Sequence, residues 1–481
     1  MDYSQFLVMK QEIGLLIVFL IVFLCDTFMS RRSQGAIGII SCIFFAAFTI
    51  LGFIPPILNP GDAFSGMYNS APVVINIKNI LNVGVLIVMI QALRWADKDM
   101  VRVRRGEFYE LLLVTLFGMY LMISARHFLL FVIGLETASL PLAAMVAFDK
   151  HRYESREAAV KYILTAVFSS AIFMMGLSFV YALAGTLYFD GIAMALWIDG
   201  VNVLLAVALA FVIAGIGFKL SLVPFHLWTA DVYQGAPTPV TSYLSVISKG
   251  AAAFAFLVIL WEVFGEAYPQ IWEWMLYGLI ILTITIGNLF AIRQKNMKRF
   301  LAFSSISQAG YIMLGIIAFN GMGLAALLFY ILVYIFSNLA AFGVIGAIEN
   351  ASGKVWMDDY NGLYKTNPRL AFTMMLAMFS LAGIPPFAGF FSKFFIFTSA
   401  INQGSIAIYI LVLIALINTI ISLYYYLLVV KAMFIKQDEC VIAPFKSACS
   451  ERFALWICVA GILALGVVSC VYNHFLDISV A

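Results

Sequence analysis

Four side chains in this sequence carry charge inside apolar runs. Glu136 lies in HFLLFVIGLETASLPLAAMVAF, Lys219 in the run that ends at Pro224, Lys249 in the next run, and Lys393 in LAGIPPFAGFFSK. An ionised lysine at the centre of a bilayer helix costs roughly 2.5–3.5 kcal/mol on insertion scales. It persists where a partner charge, a cavity or water answers it. The chemistry available to such a set is proton transfer. Burial penalises the Lys219 ammonium and a nearby Glu136 favours it, so each group sets the other's affinity for a proton. Lys249 and Lys393 are candidates for the next holders. His226, just past Pro224, titrates near neutral pH and suits the same path. Each has a plainer reading. Glu136 and Lys219 can be a static pair, Lys249 can snorkel to an interface, and Lys393 and His226 can cap carbonyls freed by the prolines. Asp231 is expected to close a polar turn.

The elements that position these groups follow from composition. Of 481 residues, 64% are hydrophobic and 11% charged, against about half and about a quarter in a soluble domain. Many apolar runs approach 20 residues, the length that spans about 30 Å of hydrocarbon. The fold class expected is all-α integral membrane, one polytopic domain over 1–481. No secretory signal is evident, because the basic pair Arg31 and Arg32 follows the first apolar run. The six cysteines show no CxxC spacing, so no metal site is expected.

Fourteen transmembrane helices are read at about 12–30, 36–55, 77–95, 107–124, 127–147, 157–185, 203–223, 242–263, 271–292, 300–319, 322–348, 370–402, 406–434 and 452–476. With that count, 22 of the 28 lysines and arginines fall in alternate loops, from Arg31 and Arg32 to Lys446 and Arg452. Only Lys10, Lys78 and Arg126 fall on the other side. The basic side is cytoplasmic by the positive-inside rule, which puts both termini on the periplasmic side of a bacterial inner membrane.

Spans seven and twelve each hold a lysine, a breaking proline and a Pro-Phe step: Pro224-Phe225 and Pro386-Phe387. Helices four to eight (107–263) and nine to thirteen (271–434) form two blocks of five. Five is odd, so the second block enters from the opposite side. Broken helices 7 and 12 in two inverted five-helix repeats point to a site at the membrane midplane. Between the lysines, Ser304, Ser305, Ser307, Gln308, Tyr330, Tyr334, Ser337, Asn338, Asn418, Ser422 and Tyr424 are candidates to carry water.

The segments LETASLPL, FKLSLVPFHLWTADVYQGAPTPV, SKGAAAF, KRFLAFSSISQAGY and LAGIPPFAGFFSK resemble the antiporter-like membrane subunits of respiratory complex I, the proton-translocating NADH:quinone oxidoreductase. The resemblance covers nearly the whole chain. It implies that Glu136 and Lys219 pair between helices five and seven, that Lys249 is the central lysine of helix eight, and that Lys393 is the helix-twelve residue. It implies a water chain linking them, with NADH, FMN, iron–sulfur clusters and quinone held by other subunits and no cofactor here. M-type and K-type membrane subunits are the neighbours it implies, besides the lipid bilayer. Lysine at 393, with no long extension after span fourteen, is the pattern of one of three homologous subunit types. Some relatives place histidine where Gln308 stands.

The chain has no flavin fingerprint, iron–sulfur cysteine pattern or nucleotide loop. No redox chemistry is expected of it alone, and nothing in it suggests nucleic acid. The rival readings are a subunit of a Mrp-type cation/proton antiporter or of a membrane-bound hydrogenase, and a passive scaffold.

Overall fold

The structure is a computed structural model that describes residues 3–29, 34–54, 60–98, 101, 103–199, 203–265, 269–435, 441–468 and 470–480. Arg31, Arg32, Arg102, Lys436 and Cys440 lie outside the described residues. The fold is all-α apart from one hairpin, Asp62–Ala63 against Tyr68–Asn69. Twelve described helices are long and apolar enough to cross a membrane. The shorter Ile37–Leu51 and the split pair Pro368–Ala382 and Ala388–Ile401 stand where the second and twelfth spans are read. Two short helices were not anticipated: Phe189–Asp199 and Leu227–Gly235. The last span also differs, ending at Val467 and resuming as Cys470–Val480.

The chain forms two compact units. The first comprises Met1–Leu86, Ala96–Leu220 and Ser248–Leu276. Its tightest crossing joins Arg105–Ser124 to Phe128–Val146. A Cβ on Gly118 would lie 2.4 Å from the Ala138 nitrogen, and one on Gly134 2.6 Å from the Met122 nitrogen. Only glycine allows two backbones this close, as small residues do where helices meet in lipid. His127 starts the second helix: its Nδ1 accepts from the Leu129 N–H at 3.1 Å. Helices Tyr153–Ala184 and Val203–Leu220 cross at Gly215, where a Cβ would stand 2.5 Å from the Phe173 Cβ. Ser169 Oγ donates to the Gly215 carbonyl at 2.7 Å.

The second unit comprises Ile87–Trp95, Ser221–Ile247 and Tyr277–Ala481. Its centre is Met297–Ile317, whose most apolar window is fully buried. Asn296 caps it, its Oδ1 accepting from the N–H groups of Lys298 and Arg299 at 3.0 and 3.2 Å. The side chain of Asn320 likewise caps Gly321–Ser352.

Prolines break the twelfth span, as expected, but they do not act alone. Pro368–Ala382 ends on Gly383 at φ 87°. Ile384 N–H bonds the Phe379 carbonyl and Gly383 N–H the Ser380 carbonyl, each at 3.0 Å, the two bonds of a Schellman motif. The cis Pro385-Pro386 step follows and Ala388 restarts the helix. In the seventh span the helix ends at Leu220, and Ser221 takes φ 62° before the cis Val223-Pro224 step. The polar stretch beyond is helical from Leu227 to Gly235 rather than a run of turns.

Span eight is one apolar stretch, Thr238–Val263, with a window that is 94% buried. Two of its turns are wide: Leu244–Ser248 and Ile259–Val263 are π-helical. They bracket Lys249–Val258.

Candidate functional site

Glu136, Lys219 and Lys249 belong to the first unit. Gly134 brings the Phe128–Val146 backbone against its neighbour two residues before Glu136, so the position of that carboxylate rests on the glycine crossing. Lys219 is 7% exposed and Lys249 1%. A snorkelling Lys249 is excluded by that burial. The Glu136 carboxylate is within electrostatic reach of the Lys219 ammonium and of the Tyr162 hydroxyl. Its residue is half-buried, and its Oε1 is enclosed with no hydrogen-bond partner. A buried carboxylate oxygen left without a donor is a high-energy arrangement that a proton or a water relieves. The pair thus interacts through space without a direct hydrogen bond. That geometry leaves room for the proton affinity of one group to depend on the state of the other.

Lys393 and His226 belong to the second unit. Lys393 is 5% exposed, and its Nζ donates to the carbonyls of Leu381 and Ala382, each at 3.0 Å. These are carbonyls the helix break leaves without the next turn. The capping role is therefore real, and the ammonium also sits 5.1 Å from the Tyr311 ring centroid. Gln308 reaches the same place, with Nε2 donating to the Leu381 carbonyl at 3.3 Å and to Tyr426 Oη at 3.2 Å. Tyr330 Oη donates to Gln308 Oε1. Ser304 Oγ and Tyr426 Oη lie 2.5 Å apart. One connected set of polar groups therefore runs from Lys393 through Gln308 to Ser304. An amide does not titrate near neutral pH, so Gln308 orients its neighbours and does not hold the proton. Beside this set is a cavity of about 10 Å³, room for one water at most. Gln308, Tyr330, Tyr334, Ser337, Ser380 and Lys393 line it.

His226 is half-buried and sits immediately before Leu227–Gly235, its carbonyl accepting from the Thr229 N–H at 2.9 Å. Asp231 does not close a turn. It lies within that helix and pairs with Arg299 at 2.6 Å, and Arg299 also donates to Gln234 Oε1 at 3.1 Å. Tyr424 is 56% exposed and faces out of the chain, while Tyr425 and Tyr426 are buried. Asn418 and Asn288 pair at 3.1 Å, and Asn338 donates to Ser245 Oγ at 2.8 Å.

Two buried charged groups were missed. Lys78, read as a loop residue of the sparsely charged side, is 0% exposed and lies inside Pro72–Ala96. Its Nζ is 2.5 Å from Glu12 Oε1, with Glu12 1% exposed. Tyr68 Oη donates to Glu12 Oε2 at 2.7 Å and accepts from Lys78 Nζ at 3.2 Å. The Tyr68 and Tyr120 rings each stand 5.3 Å from the ammonium. Lys298, also read as a loop residue, is 1% exposed; it donates to the Ala236 carbonyl at 3.0 Å and pairs with Glu349 at 3.5 Å. No group of His, Cys, Asp and Glu among the described residues is arranged to hold a metal ion.

Comparison with known proteins was made on this geometry. The family described as "NADH:quinone oxidoreductase/Mrp antiporter, TM" matches residues 125–422. NADH-quinone oxidoreductase subunit N of Phocaeicola vulgatus is 52% identical over 481 residues, which is 100% of each chain. Subunit N of Moorella thermoacetica is 41% identical over 366 residues, 76% of this chain and 75% of its own. A chain of respiratory complex I from Thermus thermophilus, solved with bound aureothin, superposes with a TM-score of 0.78 at 32% identity, over 95% of this chain and 97% of that one. A chain of the Mrp complex of a Dietzia species superposes with a TM-score of 0.81 at 21% identity, over 100% and 97%. At that identity the likeness is one of fold.

Proposed function

The chain belongs to the subunit N family of NADH-quinone oxidoreductase, a membrane subunit of a multi-subunit complex in the antiporter-like, proton-translocating class, and on that premise we propose how it moves protons. Glu136 holds Lys219 charged. A change in a neighbouring subunit draws Glu136 away or protonates it, and Lys219 then releases its proton toward Lys249. Lys393, at the second helix break, is the last holder before exit, with Gln308 and the tyrosines ordering water beside it. His226 joins the path at the first break.

The observation that carries this reading is the Glu136 carboxylate. It is enclosed, short of a donor, and within reach of a lysine that is almost wholly buried. A carboxylate kept only to hold helices together would be expected in a direct, fully bonded pair. The fourteen-helix count, the inverted repeats at 107–263 and 271–434, periplasmic termini, M-type and K-type neighbours, and redox cofactors in other subunits are parts of the same proposal.

The test is the assembled complex carrying Glu136→Ala or Lys219→Ala. Protons moved per NADH oxidised are measured in vesicles, with assembly checked on native gels. Loss of pumping in intact complexes supports the relay. Full stoichiometry in both variants overturns it. The rival of a cation/proton antiporter subunit rests on fold likeness alone and is favoured if the chain's complex lacks flavin and iron–sulfur subunits.

A further inference from the structure

A cleft of about 600 Å³ opens where the first turns of Pro368–Ala382 and Cys449–Val467 meet. Nothing in the proton path uses it. It has two chemically different ends. Arg369, Arg452 and Ser447 line one, and Phe372, Leu455 and Trp456 line the other. Arg369 and Arg452 are exposed and form no hydrogen bond or ion pair through their guanidinium groups with any described residue. Phe372 is 50% exposed and Trp456 68%.

The charged end is built rather than incidental. Two helix N-termini point there, and a helix N-terminus favours an anion through its free N–H groups and its dipole. Asn367 ties the ends together: its Nδ2 donates to the Ala443 carbonyl at 3.2 Å, and its Oδ1 accepts from the Phe445 N–H at 3.1 Å. Asn367 is 6% exposed, so this clasp is shielded from water. The one acid on the first turn of Cys449–Val467 is Glu451, which is buried and already bonded by Ala448 N–H at 2.9 Å and Asn350 Nδ2 at 3.2 Å. It does not answer the arginines.

We propose that this cleft binds an anionic phospholipid of the surrounding bilayer. The phosphate sits between Arg369 and Arg452 at the helix N-termini, and an acyl chain lies along Phe372, Leu455 and Trp456. Charge decides for this occupant. A zwitterionic lipid brings an ammonium to a place holding two unanswered arginines, and an apolar protein helix leaves both arginines without an anion. The site lies on the basic side that the positive-inside rule makes cytoplasmic, where basic pockets between helices take anionic headgroups. Trp456 suits the same boundary, since its ring is apolar and its N–H is polar. The volume is that of a ligand site, about 300–1,000 Å³.

The test uses the whole purified complex. It is delipidated, then titrated with phosphatidylglycerol or phosphatidylcholine, and bound lipid is counted by native mass spectrometry. Wild type retains one phosphatidylglycerol that Arg369→Gln/Arg452→Gln loses, with affinity down about 20-fold for two basic contacts. Phosphatidylcholine does not replace it. Val459→Trp, which fills the apolar end from a lining position and keeps both arginines, loses the same lipid and covers the case in which the double variant fails to assemble. A photo-crosslinker in place of Trp456 labels lipid. Equal retention in wild type and both variants, equal filling by phosphatidylcholine, or crosslinking of Trp456's position to a neighbouring subunit overturns the proposal.

Discussion

Removing the Lys78 ammonium leaves Glu12 as an unpaired charge in a place with no water. The two groups are 2.5 Å apart and 0% and 1% exposed. At an effective dielectric near 20, unit charges at that separation attract by roughly 6–7 kcal/mol. Most of this offsets the loss of hydration, so the pair's net contribution is far smaller. Breaking such a pair from one side costs about 3–5 kcal/mol, because the remaining charge stays buried. Lys78→Met should fall in that range, with Tyr68 the one donor left to Glu12. Glu12→Gln should be milder. Lys78 then still faces the Tyr68 and Tyr120 rings at 5.3 Å, and a desolvated cation over an aromatic face gains up to about 2 kcal/mol. The double variant Glu12→Gln/Lys78→Met carries no charge. It should recover to within about 1–2 kcal/mol of wild type, a coupling near the upper end of the usual 0.5–3 kcal/mol. SDS-driven unfolding in mixed micelles measures all four chains. If the double variant is as unstable as Lys78→Met, or both single variants match wild type, the pair is not what holds the first and third helices together.

Gly389→Ala should damage the twelfth span, because its Cβ would lie 1.7 Å from the Ser380 carbonyl oxygen. The halves must part, and the assembled complex should lose pumping along with thermal stability. Gly134→Ala forces the helix bearing Glu136 off its neighbour, so proton yield should fall even though no titrating group is touched; an unchanged yield would show that Glu136 tolerates displacement. Gln308→Leu cuts the bonds to Leu381, Tyr426 and Tyr330 and should slow pumping more than it lowers stability, read as protons per NADH against melting temperature. His127 tests a pH effect. Burial holds its imidazole below the ordinary value near 6.5, and the cap needs Nδ1 unprotonated. The cap's contribution, about 1 kcal/mol, is therefore present above pH ~6.5 and lost as pH falls through the lower folded-state value. Exchange of the Leu129 amide should quicken in acid, and His127→Ala should remove that pH dependence.

Charges were legible in the sequence where an apolar run surrounded them. Lys219, Lys249, Lys393 and Glu136 have greasy neighbours on both sides, so burial followed from pattern alone. Lys78 did not show, because the third span was read from residue 77 and its helix starts at Pro72. That shift of five residues moves Lys78 from a helix edge to more than a turn inside. Lys298 was hidden in the same way, at a helix that begins at Met297. Glu12 gave no signal, since a carboxylate in a first turn is ordinary helix chemistry. Three consecutive tyrosines at 424–426 cannot be sorted by composition; successive positions point about 100° apart, and only packing decides which face inward. Helices Phe189–Asp199 and Leu227–Gly235 are short and mixed in character, below the length at which periodicity speaks. The break at Pro385-Pro386 was plain, but the Gly383 Schellman motif that prepares it was not.

The wide turns around Lys249 make that helix sensitive to length in an unusual way. A π turn accommodates one residue more than an α-helix needs, and one residue is worth about 100° of rotation. Deleting a single residue from Leu244–Ser248 would relax the turn to α-helical and keep the span apolar. Everything from Lys249 onward would then be re-aimed relative to the chain before it. In this protein an insertion or deletion can retune where a cation points without altering one side chain.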